Sequence, residues 1–487
     1  MNQFIEKIND LSQDYDVYVV GGFARDLFLK YKNYNDIDLC VNGNALKYSK
    51  IIANAFKTKV VILNDVNETY RIILKDNIIG NIDVSAFCGK TIKSDLCNRD
   101  FTINAIAFNL KNYKSFKKHV IFSDKNTLRD LNSRILNTVS IDAFKSDPLR
   151  MLRGFRFSAI FNFKFSKKTL EQIKQNAKHI RKVAPERVKN ELFKIFCTEN
   201  SANLIDEMDK CGLLIEIFPE IKNMKRANKK YYYHAGGLFQ HSFETLKSIE
   251  HILNNLYKYF PENYKDIKKD FNDNTNFSEN ITRKSLLKFV ALFHDNAKPD
   301  TVILEKGKMR FWRHEEYGAN KIKKIMIPLK FGKKDIEYAM SMIKYHMRPS
   351  TLTKNKIITK RAMLKLFRDI GKNTADLFIL SMADWYSYQK LKSFSYKKLI
   401  FQEKSIKKLL KNYYKLKNAK PLTKIIDGHI IMQEFNLSSG PWIGDILKII
   451  TEAQHENKIF NTSEALKLIS LILTDIKKKY TLDEGIN

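Results

Sequence analysis

Val17-Tyr-Val-Val-Gly-Gly-Phe-Ala-Arg-Asp26, followed ten residues later by Asp36-Ile-Asp38-Leu-Cys-Val41, decides how the front of this chain folds. The apolar run Val17–Val20 reads as a buried strand. Gly21-Gly22 lets the backbone turn sharply and approach a ligand closely. A helix is predicted to start near Phe23, and its free N–H groups suit a phosphate, with Arg25 adding a fork-shaped cation. The chain then returns as a second strand, 36–41. Side chains alternate along a strand, so Asp36 and Asp38 share a face. Two carboxylates on one face repel unless a cation sits between them. Magnesium with oxygen ligands suits them, and two ions roughly 4 Å apart would serve in-line phosphoryl chemistry. Asp-x-Asp or Gly-Gly alone is commonplace. Their order and spacing together make the pattern specific.

At 487 residues the chain exceeds one hydrophobic core, and three or four domains are expected. Hydrophobic content of 44% is ordinary for a globular protein. No apolar run reaches about 18 residues, so no membrane span is expected. The N-terminus lacks the basic and apolar regions of a signal peptide. Cysteines 40, 88, 97, 197 and 211 form no Cys-x-x-Cys pair, which fits a reducing cytoplasm and argues against a disulfide scaffold or zinc ribbon. Cytoplasmic localisation follows as the expectation. A formal charge of +33 favours polyanionic partners. Abundant Lys, Asn and Ile show that coding bias supplies part of that excess. Between Lys390 and Lys424, however, twelve lysines face one acid, Glu403, with Tyr396, Phe401, Tyr413 and Tyr414 interleaved. One-sign charge with aromatics suits a nucleic-acid backbone.

Strands are predicted at 17–21, 36–41, 59–63, 70–75, 79–86 and 104–110, which makes residues 1–135 an α/β domain with a mixed sheet. From about 136 the pattern turns helical and stays so. Leu149, Leu152, Phe155 and Phe157 form one apolar face; Val188, Leu192, Ile195 and Phe196 form another. Pro185 marks a helix start. Asp270–Asn276 reads as an inserted polar loop. Segments 283–295, 334–347 and 372–388 read as helices. Lys420-Pro421 opens a last subdomain, with a loop at Ser438–Pro441.

Further motifs follow the aspartates. Asn81-Ile-Asp83 places another acid on a neighbouring strand, and Asn98-Arg99-Asp100-Phe-Thr-Ile-Asn104-Ala comes after it. Then comes Ser146-Asp147-Pro-Leu-Arg150-Met-Leu-Arg153-Gly-Phe-Arg156. With these, residues 1–225 resemble the class II nucleotidyltransferase family of tRNA CCA-adding enzymes and bacterial poly(A) polymerases. Gly21, Gly22, Arg25, Asp26, Asp36 and Asp38 match its first motif. Arg99–Ala105 matches its Arg-Arg-Asp-Phe-Thr-Ile-Asn-Ala signature, with Asn98 replacing the first arginine. Leu128–Leu131 with Arg134, and Arg187 to Glu191, match later elements. Asp147 and Arg150 match its Glu-Asp-x-x-Arg motif, with Ser146 replacing the glutamate.

The resemblance implies that Asp36 and Asp38 hold two magnesium ions, that Gly22 and Arg25 contact the triphosphate, and that Arg99 and Asp100 help hold sugar and phosphates. Asp83 is open between assisting the metals and a structural role. Asp147 and Arg150, three apart, would share a helix face. A carboxylate can accept from the exocyclic amine of cytosine or adenine while a guanidinium donates to the ring nitrogen beside it. Guanine and uracil present the opposite polarity. In the family this pair templates CTP and ATP; the plainer alternative is a helix-capping salt bridge. Arg153 and Arg156 continue the ridge toward phosphate or solvent.

A second constellation is His241, His294-Asp295 and Asp384, with His314 and His346 between. Adjacent His-Asp at a helix end suits a divalent metal. Residues 233–390 resemble the HD phosphohydrolase family, whose order is His…His-Asp…Asp with extra histidines in two-metal members. The family's His-Asp-Ile-Gly-Lys reads His-Asp-Asn-Ala-Lys here; Asn296 and Ala297 are not ligand positions. The resemblances imply a palm-like catalytic domain at 1–135, a helical nucleotide-selecting and RNA-binding domain at 136–232, an HD domain at 233–390 and a basic helical tail at 391–487. The implied activity is CCA addition to tRNA from CTP and ATP, with metal-dependent phosphohydrolysis at the HD site. A poly(A) polymerase, an enzyme adding only A or only C, and an HD phosphohydrolase with an RNA-binding front domain are the alternatives. Oligomeric state and HD metal are open.

Overall fold

The computed structural model describes residues 2–31, 36–64, 68–74, 79–227, 236–354, 358–389, 395–419, 423–456 and 458–480. The expected opening at Lys420-Pro421 lies outside them, as do Lys390 and Lys392 of the basic run. Two compact units form. One gathers 1–228, 276–286 and 324–336; the other gathers 229–275, 287–323 and 337–487.

The first unit is built on a seven-stranded mixed sheet, with β1 (Asp16–Val20), β2 (Asp36–Asn42), β3 (Val60–Asn64), β4 (Thr69–Ile73), β5 (Asn81–Ala86), β6 (Ile106–Asn109) and β7 (Ile121–Phe122). Their order is β3-β4-β5-β2-β1-β6-β7. β2 runs antiparallel to β1 and parallel to β5. The register pairs Asp36 with Asn81 and Asp38 with Asp83, so acids from two strands fall on one face. Ile37, Leu39, Ile82 and Val84 are buried on the alternate positions. Helix Ala45–Ala55 packs against β2, β4 and β5. β7 was not foreseen; two residues are too short for any alternation to register. The helix after β1 starts at Gly21 rather than near Phe23, because Gly21 takes φ +65 and begins the turn itself.

Beyond the sheet, helices Leu149–Phe161 and Pro185–Phe196 pack together, and both predicted apolar faces are buried. Gly154 lets the first of these press onto Phe101, since a Cβ there would lie 2.6 Å from the ring. A two-strand parallel pair, Ile135–Leu136 with Lys164–Phe165, interrupts the expected all-helical stretch.

In the second unit, helices Gly237–Asn254 and Thr374–Ser387 lie along one another. A hairpin, Val302–Glu305 with Lys308–Phe311, departs from the all-helical expectation. Its turn residues Lys306 and Gly307 both take positive φ, 49 and 72, as a mirror-image two-residue turn requires. Lysine in place of asparagine hid that signal. Helix Tyr396–Lys417 carries the basic run, yet Tyr413 and Tyr414 are core residues, while Tyr396 and Phe401 are exposed. The aromatics therefore do not form one basic-aromatic face. Helices Gly428–Glu434, Pro441–His455 and Thr462–Lys479 close around Ile431, Ile446 and Ile469. Among the described residues no helix is long and apolar enough to cross a membrane.

Candidate active site and metal centre

A cleft of about 1200 Å³ opens beside the carboxyl face of β2. Asp36 and Asp38 line it, with Gly21, Gly22, Asp147 and Arg150. Gly22 N–H donates to Asp38 Oδ2 at 3.2 Å, and Asn81 Nδ2 donates to Asp36 Oδ1 at 2.8 Å. A Cβ on Gly21 would lie 2.8 Å from Arg99 Nη1 and 3.0 Å from Asp38 Oδ2, so only glycine lets these groups converge. Burial pushes the Asp38 carboxyl above its ordinary pKa; Arg99 and the Gly22 N–H oppose this, while Asp83 and Asp36 add to it. Asp83 is neutralised separately, by a two-pronged pair with Arg71 at 2.7 and 2.7 Å. Crowded oxygens with surplus negative charge fit a hard divalent cation at Asp36 and Asp38.

Several motif residues face each other rather than open space. Arg25 is buried; it donates to Asp26 at 2.8 Å and to Asn104 Oδ1 at 2.7 Å, and its guanidinium lies 4.0 Å over the Phe161 ring. Asp100 is also buried. It accepts from Phe101 N at 2.8 Å, Asn104 Nδ2 at 3.0 Å and Arg153 Nε at 2.8 Å. Burial works against its charge, but Arg153 and these donors outweigh that and hold the carboxyl down at about 2. Arg99 pairs with Asp95 at 2.9 Å, and Arg156 with Glu191 at 2.8 Å. Asp130, of the Leu-Arg-Asp-Leu segment, accepts from Thr102 Oγ1 at 2.8 Å. The ordered motifs are thus one connected frame, running Asp26–Arg25–Asn104–Asp100–Arg153.

Asp147 and Arg150 do not share a helix face. Asp147 is extended, with φ −143 and ψ 100, and precedes the helix that starts at Leu149. Proline at 148 forces this, because the residue before proline is biased away from helix. Both side chains still reach the cleft. Asp147 Oδ1 accepts from Leu149 N at 3.1 Å. Arg150 Nη2 donates to Asn98 O at 2.7 Å, and Nη1 donates to Arg99 O at 3.3 Å and Ser146 Oγ at 3.4 Å. The serine that replaces glutamate is therefore an acceptor for this arginine.

In the second unit six side chains converge. His241 Nε2 lies 3.2 Å from His294 Nε2, 3.2 Å from Asp295 Oδ2 and 3.2 Å from Asp384 Oδ1. His314 Nε2 and His346 Nε2 each lie 3.4 Å from Asp295 Oδ1. The opposite ring nitrogens are anchored. Nδ1 of His294, His314 and His346 donates to Ala291 O, Phe311 O and Ile343 O at 2.8, 2.9 and 2.6 Å, and His241 Nδ1 meets Ser387 Oγ at 3.0 Å. A ring whose Nδ1–H is given to a carbonyl turns a lone pair inward from Nε2. Asp295 Oδ1, Asp384 Oδ1, His314 Nε2 and His346 Nε2 are buried without a hydrogen-bond partner. Burial opposes charge on His294, yet Asp295 and Asp384 raise its pKa to about 10: the cluster calls for a cation. Ligand atoms about 2.1 Å from one ion sit roughly 3.0–3.4 Å apart, which these spacings match. The donors fall into two sets, His241–His294–Asp384 and Asp295–His314–His346, with Asp295 spanning both through its two oxygens. Asn296 is fully buried beside them, and its amide has no hydrogen-bond partner.

Residues 17–137 match the family described as the poly A polymerase head domain, and residues 162–225 match the probable RNA and SrmB-binding site of polymerase A. Residues 238–388 match the HD domain, and residues 314–469 match the putative tRNA nucleotidyltransferase domain 2. The chain belongs to the class II tRNA nucleotidyltransferase and poly(A) polymerase family, and it carries an HD domain. Among relatives of this family, a CC-adding tRNA nucleotidyltransferase of Thermus thermophilus is 25% identical over 92% of both chains. An A-adding tRNA nucleotidyltransferase of Deinococcus radiodurans is 24% identical over 77% of this chain and 78% of its own. The Thermotoga maritima CCA-adding enzyme complexed with tRNA shares the fold, with TM-score 0.64 and 21% identity over 97% of this chain and 96% of that one.

Sequence reasoning missed Arg71, Asn104 and Ser387 as site neighbours. Ser387 stands three residues after Asp384, one helical turn on, and that spacing was the available signal. Arg71 carried no motif; only strand register brings it to Asp83.

Proposed function

We propose that this chain is a tRNA nucleotidyltransferase that adds CMP to tRNA 3′ ends from CTP. The observation that carries the reading is the convergence of Asp36, Asp38 and the Gly21-Gly22 turn at one cleft. Similarity along 92% of both chains to a CC-adding enzyme supports C addition. Full CCA addition, with ATP as the last substrate, is the second reading, and the A-adding relative favours keeping it.

The RNA 3′-oxygen forms a bond to the α-phosphorus, the bond from that phosphorus to the bridging oxygen breaks, diphosphate leaves, and the hydroxyl proton passes to solvent. Magnesium ions held by Asp36 and Asp38 would lower the pKa of the attacking hydroxyl and steady the departing diphosphate. The N–H groups of the helix that begins at the Gly21-Gly22 turn face the triphosphate, while the Gly22 N–H itself holds Asp38. Arg25 and Asp100 serve by holding the frame together rather than by touching the nucleotide; Arg153 and Arg156 reach the cleft from the same ridge. Asp147 accepts from the cytosine amine and Arg150 donates to the adjacent ring nitrogen, once Arg150 exchanges its backbone carbonyls for the base.

The HD cluster is proposed to hold two divalent ions and to hydrolyse phosphate esters. Supplying tRNA that ends before CCA with CTP alone, ATP alone and both, then sequencing the products, tests the transfer reading. Two added C residues support it; a third residue, A, selects the CCA reading; long A tails from ATP alone would replace it with poly(A) synthesis. Absence of any incorporation overturns transfer altogether.

A further inference from the structure

The cleft continues beyond the aspartates along the sheet. Register sets Val61, Arg71, Asp83 and Asp38 in one row across β3, β4, β5 and β2, and Ile73, Asn81 and Asp36 in the next. Val61 is 41% exposed and Ile73 50% exposed, so this strip is bare. Arg71 and Thr69 line the same cleft as Asp38, as do the carboxylates of Asp83 and Glu68. Arg71 gives Nε and Nη2 to Asp83, and Nη1 has no partner among the described residues.

Building on the proposed transfer reaction, we propose that this strip receives the 3′-terminal nucleotide of the RNA, and that Arg71 Nη1 binds the phosphate joining it to the preceding nucleotide. Three observations carry this. Displacement at the α-phosphorus is in line, so attacking hydroxyl and departing diphosphate stand on opposite sides. The Gly21-Gly22 turn follows β1, on one side of β2, and Arg150 is tied to Asn98 and Arg99 on that same side. The attacking end must then come from the other side of β2, where β5, β4 and β3 lie. Arg71, the cation of that strip nearest the aspartates in register, is pinned by its Asp83 fork, which leaves three N–H bonds for an anion, two of them on Nη1. Val61 and Ile73 flank it with apolar surface that suits a sugar or base face. A polyanion approaching Asp36, Asp38 and Asp83 needs a positive guide, and Arg71 supplies it without competing for the metal ligands.

The test uses full-length protein and tRNA substrates ending before CCA, one natural and one with an uncharged methylphosphonate at the last linkage. For wild-type protein the neutral linkage is expected to raise the KM for RNA about tenfold, the worth of one charge-assisted hydrogen bond. Arg71→Gln is expected to raise the KM for natural RNA by a similar factor, to leave the KM for CTP within about twofold, and to be insensitive to the neutral linkage. Equal sensitivity of wild type and R71Q to the neutral linkage would overturn the contact. So would a parallel rise in the KM for CTP and RNA, or recovery of the RNA KM in the R71Q/D83N double variant, since each would mean that Arg71 only neutralises Asp83. If wild-type protein transferred nothing to either RNA, the transfer reading itself would fall, and with it this one.

Discussion

The two carboxylate-bearing centres solve opposite problems. Around β2, nearly every charged motif residue is already paired: Arg25 with Asp26, Asp100 with Arg153, Arg156 with Glu191, Asp83 with Arg71. The frame consumes its own charges, and surplus negative charge stays at Asp36 and Asp38. In the HD cluster the arrangement is inverted. Carbonyls and a serine hold the outer ring nitrogens, Lys298 pairs with Asp295 Oδ2, and the inner donor atoms otherwise face each other at 3.2–3.4 Å. The first centre is an open cleft lined by Asp36 and Asp38. The second is a buried cluster whose donor spacing fits metal ions. A motif residue is therefore no guide to contact: in the cleft, much of the motif is architecture.

The sharpest way to break this contrast is Asp36→Ala. Transfer of labelled CMP should fall by more than about 10³-fold, while metal retained after gel filtration, measured by mass spectrometry, should stay at the wild-type level. Loss of both would mean that the centres are not independent. Asp295→Ala should do the reverse, keeping transfer and losing both HD ions, because Asp295 spans the two donor sets; His346→Ala should lose only one. Equal loss from the two variants would remove the bridging role.

Asp100→Asn tests the frame. The Asp100 carboxyl is held at about 2 in the fold, against about 3.9 unfolded. A depressed folded pKa adds stability that is complete above the unfolded value and disappears as pH falls through the folded one. The variant should be about 2 kcal/mol less stable at pH 7 by urea denaturation, and the gap should close between about pH 4 and pH 2. A pH-independent gap would point to packing instead. Smallest in effect, Arg150→Ala should relax the preference for CTP over UTP by about tenfold while slowing transfer less. Unchanged preference would leave Arg150 as a brace for the Asn98–Arg99 backbone.

The elements of the sheet were legible because alternating apolar runs bounded by glycine and polar turns carry a period of two. Asn81-Ile-Asp83 was read as an acid on a neighbouring strand, and β5 does pair with β2; that the pairing is parallel came from the structure. The HD positions were legible because family order and residue type together single them out. The hairpin at 302–311, the strands at 135–136 and 164–165, and the burial of Tyr413 and Tyr414 were not legible. Short strands have no period to read, and which face of a basic helix is covered depends on what packs there.

By itself, then, the sequence determined the strand–turn–helix order and the positions of Asp36 and Asp38 on one face, because these rest on local periodicity, while the six HD positions were read from residue types in the order of a resembled family. Only the tertiary structure decided which charges pair with which. Arg25 meets Asn104 across 79 residues and Arg153 meets Asp100 across 53. Partners so distant are selected by strand register and helix docking, and no spacing along the chain encodes them.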